Sequence, residues 1–306
     1  MTDVPDEVER LAQERQEARQ RKEFERADAL RERIRELGFD VVDGPEGPVM
    51  QRLASETEPA ARRVRPADVA PLPVEDATFD VSVQWVVQGW PEDAVRGIEA
   101  VRGAAGARTV QYVVVDAADT DPDVWPEGVD VIMLDEDPGW GLARNVGLRR
   151  AAGGTVVVID GSVEPTGDVL GPIEHALEDP SVGLVGPFGI VTDDLREFRP
   201  SDGPDVDAIE GYLMAFRREA IAATGGFDEK FKFYRTADIE FSFRLKDQGL
   251  RTCVVPLPVT RHEHRLWAAT PADRRDALSK RNFYRFLDRW RGRTDLTEAG
   301  KGKAPA

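Results

Sequence analysis

The sequence predicts an α/β fold built on a mostly parallel, Rossmann-like mixed sheet, with a helical hairpin as an amino-terminal appendage. Three observations predict it. From Phe79 onward, apolar strand-like runs alternate with helical segments in the order β-α-β-β-α-β, which places ligand loops along one sheet edge. The run 155–159 is apolar without interruption, the pattern of a strand buried on both faces. Residues 5–37 instead carry apolar positions at helical spacing, with no Gly or Pro after Pro5.

The hairpin comes first. Val8, Leu11, Phe24, Ala27, Leu30, Ile34 and Leu37 form one stripe, and a break near 21–23 folds two helices together. Gly38 stops the second helix, and FDVVDGPEGPVMQRL reads as two short strands about a Gly-Pro turn. A stripe this thin makes a marginal core. Residues 54–78 hold four prolines among Ala, Glu and Arg and read as a semi-stiff linker. The expected organisation is therefore 1–53 for the appendage, 54–78 for the linker, 79–293 for the α/β domain and 294–306 for a disordered tail.

Within the α/β part, VSVQWVV is the first strand, 91–101 a helix, VQYVVVD a second strand ending on Asp116, and VDVIMLD a third. Gly139 opens a helix with Leu142, Val146 and Leu148 as apolar positions, stopped by Gly153 and Gly154. The buried run then ends on Asp160, followed by Gly161 and Ser162. A carboxylate there stands where open α/β sheets bind ligands, although an Asp can also simply cap the next turn. Further on, a helix at 167–178 and the strand VGLVGPFGIV precede an acidic stretch, 192–207, that reads as a mobile loop near the site. A strand at 210–216, a short helix at 217–223 and a helix at 238–247 follow, the last packing Ile239, Phe241, Phe243 and Leu245. The basic-aromatic helix at 272–290 docks Phe283, Phe286, Leu287 and Trp290 on the domain, with a membrane surface as the alternative for its cations.

Composition narrows the class. With 41% apolar and 32% charged residues the 306-residue chain is of ordinary globular type. A net charge of −16 argues against non-specific nucleic-acid binding by the whole protein. The single cysteine, Cys253, excludes a disulfide framework or a cysteine-based metal site. No apolar run approaches the ~20 residues that span a bilayer, and no hydrophobic leader is visible. The expectation is a bacterial-type cytoplasmic protein whose membrane contact, if any, is peripheral at the inner face.

Two resemblances follow from motifs. Gly141, Ala143, Arg144, Asn145, Gly147 and Asp160 match the pattern of the inverting glycosyltransferases of family 2, which have the GT-A fold; the chain departs at Ser162, where the family has the second Asp of D-x-D. A second block resembles the same family at Gly211, Arg217, Arg218, Gly225, Gly226, Phe227, Asp228, Glu229, Asp238, Glu240, Arg244 and Gly249, with Ala237 in place of the first Glu of its acidic pair. The resemblance spans about 79–293. It implies transfer of a sugar from a nucleoside-diphosphate sugar to a hydroxyl acceptor with inversion. It also implies Asp238 as general base, or as a helix cap; Asp116, Arg144, Asn145 and Asp160 on the nucleotide donor; and Gly211 and Glu240 on the acceptor side. A divalent metal, Mn²⁺ or Mg²⁺, is implied at Asp160 and His264, weakened by Ser162; His262 is the less favoured of the two neighbouring histidines. By the same resemblance Asp228 orders its loop and Arg244 pairs with a carboxylate. The competing class is a relative that keeps the nucleotide pocket without turnover.

The segment from about 7 to 53 resembles the carboxyl-terminal tail module of cysteinyl-tRNA synthetases. The residues that carry this are Ala18, Arg19, Lys22 and Phe24, the run 27–31, Gly38, Asp43, Gly44, Pro45 and Gly47. That module contacts the tRNA anticodon region in its family, but here its charge is acidic on balance, which fits phosphate binding poorly. Reuse for protein contact is preferred to tRNA as the expectation, and aminoacylation is excluded because the synthetase's catalytic signature and cysteine-rich zinc site are missing from the sequence.

Overall fold

The computed structural model describes residues 6–21, 23–37, 39–44, 47–52, 63–71 and 77–301. The chain divides into two units, Met1–Arg62 and Arg63–Ala306. In the first, α1 (Asp6–Gln20) and α2 (Phe24–Glu36) form the expected hairpin, followed by the antiparallel pair β1 (Phe39–Gly44) and β2 (Gly47–Arg52). Val8, Leu11, Ala12, Ile34 and Val41 make its core, with Leu30 and Leu37 packed against it. Phe24 is not part of that stripe: it starts α2 and is 60% exposed. Lys22, Gly38 and Pro45, named in the sequence reading, lie outside the described residues.

The second unit runs β3 (Phe79–Val87), α3 (Pro91–Ala104), β4 (Val110–Asp116), β5 (Val129–Met133), α4 (Trp140–Arg150), β6 (Gly153–Ile159), β7 (Val163–Pro165), α5 (Leu170–Leu177) and β8 (Val182–Gly186). It continues with β9 (Gly189–Thr192), β10 (Phe198–Ser201), β11 (Ala208–Ile209), β12 (Leu213–Arg217), α6 (Arg218–Thr224), α7 (Ala237–Asp247), β13 (Arg251–Val254), β14 (Val259–Arg261), α8 (Arg265–Ala269) and α9 (Ala272–Trp290). A seven-stranded sheet has the order β13-β8-β12-β6-β3-β4-β5, parallel except for β12, which runs against both of its neighbours.

β6 sits in the middle because nothing in it needs water: Val156, Val157, Val158 and Ile159 are all fully buried, alternately facing the two principal cores. Each such side chain contributes about 1.5–3 kcal/mol relative to exposure. α4 lies unusually close to β3. A Cβ on Gly147 would collide with the Gln84 side chain, and one on Gly141 with the carbonyls of Asp228 and Phe231, so these two motif glycines are demanded by close approach.

Three sequence expectations change. The stretch 192–207 is not a mobile loop: β10 pairs with β9, and Asp194 Oδ1 accepts from the N–H groups of Arg196 (2.8 Å) and Glu197 (3.0 Å) to fix the turn. Acidic residues suit a solvated loop and a tight turn equally, and here Asp194 forms a turn of a small sheet. The tail expected from 294 is packed as far as Lys301, since Thr297 is fully buried and Glu298 pairs with Lys246 at 2.8 Å; 302–306 lie outside the described residues. Part of the expected linker, 63–71, also belongs to the second unit, where Val64 bridges to Leu134 and Arg149 donates to the Pro66 carbonyl at 2.8 Å. No helix among the described residues is long and apolar enough to cross a membrane.

Candidate active site

Three segments converge at the carboxyl edge of β6. Because β12 is antiparallel, it enters the sheet where β6 leaves it, and the Asp160 N–H donates to the Tyr212 carbonyl at 2.9 Å. α7 begins beside them, and its first-turn Asp238 accepts from Gly211 N–H (2.8 Å, Oδ2) and from Ile239 N–H (2.9 Å, Oδ1). Between them lies a cavity of about 260 Å³ walled by Asp160, Glu210, Gly211, Tyr212, Asp238 and His264. A second, of about 50 Å³, continues past Asp160 to Gly89, Trp90, Arg144 and Ser162.

Burial pushes the Asp238 carboxyl above its ordinary range, opposed by its backbone donors and by Arg235. Burial also raises Glu210, with the charge of Asp238 adding to the effect. Two carboxyls held this way in one cavity keep their protons to higher pH than exposed ones, as suits groups that exchange them. Glu210 escaped the sequence reading, and its only sequence signal was its place directly before Gly211.

Asp160 Oδ1 accepts from the Ser162 N–H (2.9 Å) and hydroxyl (2.5 Å), so Ser162 orients the carboxylate instead of adding a second one. Oδ2 faces His264 Nε2 at 3.6 Å, and the imidazole stacks on Tyr234 with centroids 4.3 Å apart. Among the described residues no group of three His, Cys, Asp or Glu is placed to hold a metal ion. The facing carboxylate oxygen and imidazole nitrogen nevertheless fit a hard cation that keeps water and ligand oxygens in its remaining positions. Ligation through Nε2 requires a proton on Nδ1, which now accepts from Trp267 N–H at 3.2 Å at the start of α8. His262 is held elsewhere, 2.7 Å from Glu164.

Not every predicted donor residue reaches the cavities. Arg144 lines the smaller one, but it is only 1% exposed and donates to the carbonyls of Gln84 (3.3 Å) and Ile159 (3.2 Å). Desolvation lowers its pKa to about 10, against the pull of Asp160. It braces β3 and β6 and places positive charge behind Asp160, in place of the free fork expected of it. Asn145 is a correction. Its amide clamps the Phe227 backbone, donating to the carbonyl and accepting from the N–H, both at 2.8 Å, and it faces a different cavity beside Gly226 and Glu229. Glu240 is another: it is buried in ion pairs with Arg244 (3.0 Å) and Arg289 (2.9 Å) and lines neither of these two cavities. Both follow helix geometry, since the residue after Arg144 and the residue two beyond Asp238 point away from their neighbours' face.

Asp116 is fully buried at the end of β4, beside Val87. Oδ1 accepts from Ala118 N–H at 2.8 Å, while Oδ2 has no partner among the described residues. Backbone strain marks the same edge. Among the described residues, the non-glycine ones with left-handed φ are Trp90 (54°), Asp119 (58°), Leu195 (64°) and Thr236 (71°), and three of them flank or line the two cavities. Such conformations cost roughly 1–3 kcal/mol each and concentrate where geometry is functional.

The second unit has an α/β fold similar to that of GT-A glycosyltransferases. Residues 194–283 match the family described as Glycosyltransferase like family 2. Among solved structures, GalNAc-T7, crystallised with UDP, GalNAc and Mn²⁺, superposes with a TM-score of 0.57 and 16% identity over 71% of this chain and 49% of that one. The mannosyltransferase PcManGT from Pyrobaculum calidifontis, solved with GDP-Man and Mn²⁺, gives 0.48 and 24% over 62% and 57%. Residues 1–47 match the Cysteinyl-tRNA ligase anticodon binding domain. The cysteine–tRNA ligase of Methanosarcina mazei is 48% identical over 50 residues, 16% of this chain and 11% of that protein. That of Desulfovibrio desulfuricans is 58% identical over 45 residues, 15% and 9%. The chain thus spans about a tenth of the length of the curated relatives it matches.

Proposed function

We propose that the second unit transfers a sugar from a nucleoside-diphosphate sugar to a hydroxyl acceptor with inversion. The observation that carries this is Asp238: a carboxyl raised by burial, fixed by Gly211 N–H, in the same cavity as Asp160 and His264. In this reading the nucleotide lies along the smaller cavity with Asp160 facing the diphosphate, while Asp116, fully buried and lining neither cavity, would meet the base only if the end of β4 opened. Asp238 takes the acceptor proton as the oxygen bonds to the anomeric carbon and the carbon–diphosphate bond breaks on the opposite face. One base suffices and no covalent intermediate is needed. Asp160 and His264 would hold a divalent cation, which when bound offsets the growing charge on the leaving diphosphate. The buried Arg144 adds a fixed positive charge behind them.

Calorimetric titration of UDP, GDP and dTDP, with and without Mn²⁺ or Mg²⁺, tests the donor half. Binding of one nucleotide that is lost in Asp160→Ala supports it, and no binding by any sinks it. A second reading, nucleotide-sugar binding without turnover, is favoured by Ser162 and Ala237 in place of acidic residues. It predicts nucleotide binding with no product from any acceptor, in the wild type as in Asp238→Asn.

The amino-terminal module we read as a protein-contact hairpin. Its acidic balance supports this over tRNA binding. A tRNA gel shift at physiological salt would overturn it.

A further inference from the structure

We infer that the larger cavity accepts a hydroxyl compound bearing an anionic group, a phosphate or carboxylate, held by Arg196 and Arg235. The inference rests on the transferase reading and specifies its acceptor.

Both arginines line the cavity that holds Asp238, and neither lines the one that continues past Asp160 to Ser162 and Arg144. They therefore stand on the acceptor side of Asp160, apart from the place assigned to the diphosphate. Neither makes an ion pair or a side-chain hydrogen bond with any described residue, and Arg235 has only the face of Trp267, 5.6 Å away. Arg251, Arg265, Arg285, Arg289 and Arg293 are all paired with carboxylates; Arg274 and Arg281 also lack a side-chain partner, but they line other pockets, so Arg196 and Arg235 are the two such arginines that wall this cavity. Glu210 and Asp238 feel Arg235 through space, but no carboxylate contacts it.

Both cations are also presented by fixed backbone. Leu195, with φ 64°, is buried and accepts no freedom: its N–H donates to Thr192 Oγ1 at 2.9 Å, and Asp194 Oδ1 holds the N–H of Arg196. On the opposite wall the buried Asn282 donates to the carbonyls of Arg235 (2.8 Å) and Phe233 (2.7 Å), and Thr236 follows with φ 71°. Two turns with left-handed residues thus place two exposed arginines, without hydrogen-bonded partners, on the wall of one cavity, and guanidinium is the side chain whose fork matches phosphate and carboxylate. Tyr212 and Phe283 supply apolar wall for the carbon skeleton between them.

The test uses the full chain with the nucleotide sugar whose base the titrations identify, offered in turn glycerol, glycerol phosphate, 1,2-propanediol and lactate. Each anion is expected to exceed its neutral counterpart in kcat/KM by about tenfold or more, and Arg196→Gln or Arg235→Gln to remove most of that ratio. Arg291→Gln, a surface arginine outside the cavity, should leave the ratio alone. Calorimetry of glycerol phosphate and lactate with the nucleotide-saturated protein reads binding without turnover, and that binding should weaken with added NaCl. Whichever anion responds to the arginine variants names the group. Anion binding that depends on both arginines, with no product from any compound, keeps the anion site and sinks the transferase reading. Equal handling of neutral and anionic compounds by the wild type, or ratios unchanged in both arginine variants, overturns the inference.

Discussion

Gly211 N–H donates to Oδ2 of Asp238 at 2.8 Å, and a Cβ added to Gly211 would sit 3.2 Å from that of Asp238. One missing side chain therefore sets where the proposed base stands. Gly211→Ala should push Asp238 by a few tenths of an ångström and lower kcat by about tenfold, because small misplacements of a reacting group are costly. Thermal stability should change little. Asp238→Asn keeps the shape and removes the base, for a loss of about 10²–10⁴ in kcat with nucleotide affinity retained. A turnover assay beside nucleotide calorimetry checks both.

Burial holds Asp238 and Glu210 above the ordinary carboxylate range. A base must have lost its proton, so kcat/KM should rise with pH through the raised Asp238 value, placing the acid limb above about pH 4. The charge of Asp238 adds to the rise of Glu210, so Asp238→Asn should move the Glu210 titration to lower pH, as carboxyl NMR would read. The stability effect has the opposite sense. The folded state binds protons more tightly than the unfolded chain between the unfolded and folded pKa values, so these groups lose stability as pH rises through that window. Glu210→Gln should raise Tm relative to wild type above the window and by less below it; a uniform shift at all pH values would contradict this account.

Much of this edge could be read in the sequence. Asp160 follows an uninterrupted apolar run whose β-branched residues and flanking glycines mark a central strand, so the strand's end could be placed. Asp238 came only from the motif resemblance, and the structure places it in the first turn of α7. Asn145 and Glu240 were misplaced for one reason: a motif gives residue types and spacing, while direction depends on which helix face meets the sheet. Arg196, Glu210 and Arg235 were missed because they are far apart in the chain. They meet only through β9, β10, β11 and the turn before α7, and the acidic composition of 192–207 concealed β10.

Asn145 supplies a sharp test of that correction. Asn145→Ala leaves the Phe227 N–H and carbonyl buried without their partner, a cost of about 1–3 kcal/mol each before relaxation. Tm should drop by several degrees while nucleotide affinity stays the same. A loss of affinity with Tm unchanged would return Asn145 to the donor site.

Arg144 should separate from Arg196 and Arg235 by what its loss damages. Its guanidinium satisfies two backbone carbonyls from inside the domain, so Arg144→Lys, which keeps the charge but not the fork, should still destabilise by about 1–3 kcal/mol. Denaturant unfolding measures this without any substrate.

His264 links two events that a neutral imidazole cannot serve at once. Nδ1 accepts from Trp267 N–H, which anchors the start of α8, while Nε2 faces Asp160 across 3.6 Å. If Nε2 takes a cation, the ring proton moves to Nδ1 and the Trp267 contact is lost. Mn²⁺ should therefore loosen α8 as it binds, raising hydrogen exchange at the Trp267 amide and changing tryptophan fluorescence, since Trp267 also packs near Tyr234 at 6.3 Å between centroids. His264→Ala should show the loosened α8 without metal and respond no further to it. Asp160→Ala should keep α8 anchored and lose the response. If Mn²⁺ binds and the Trp267 amide stays protected, the cation is held without Nε2, and Asp160 alone carries the metal assignment.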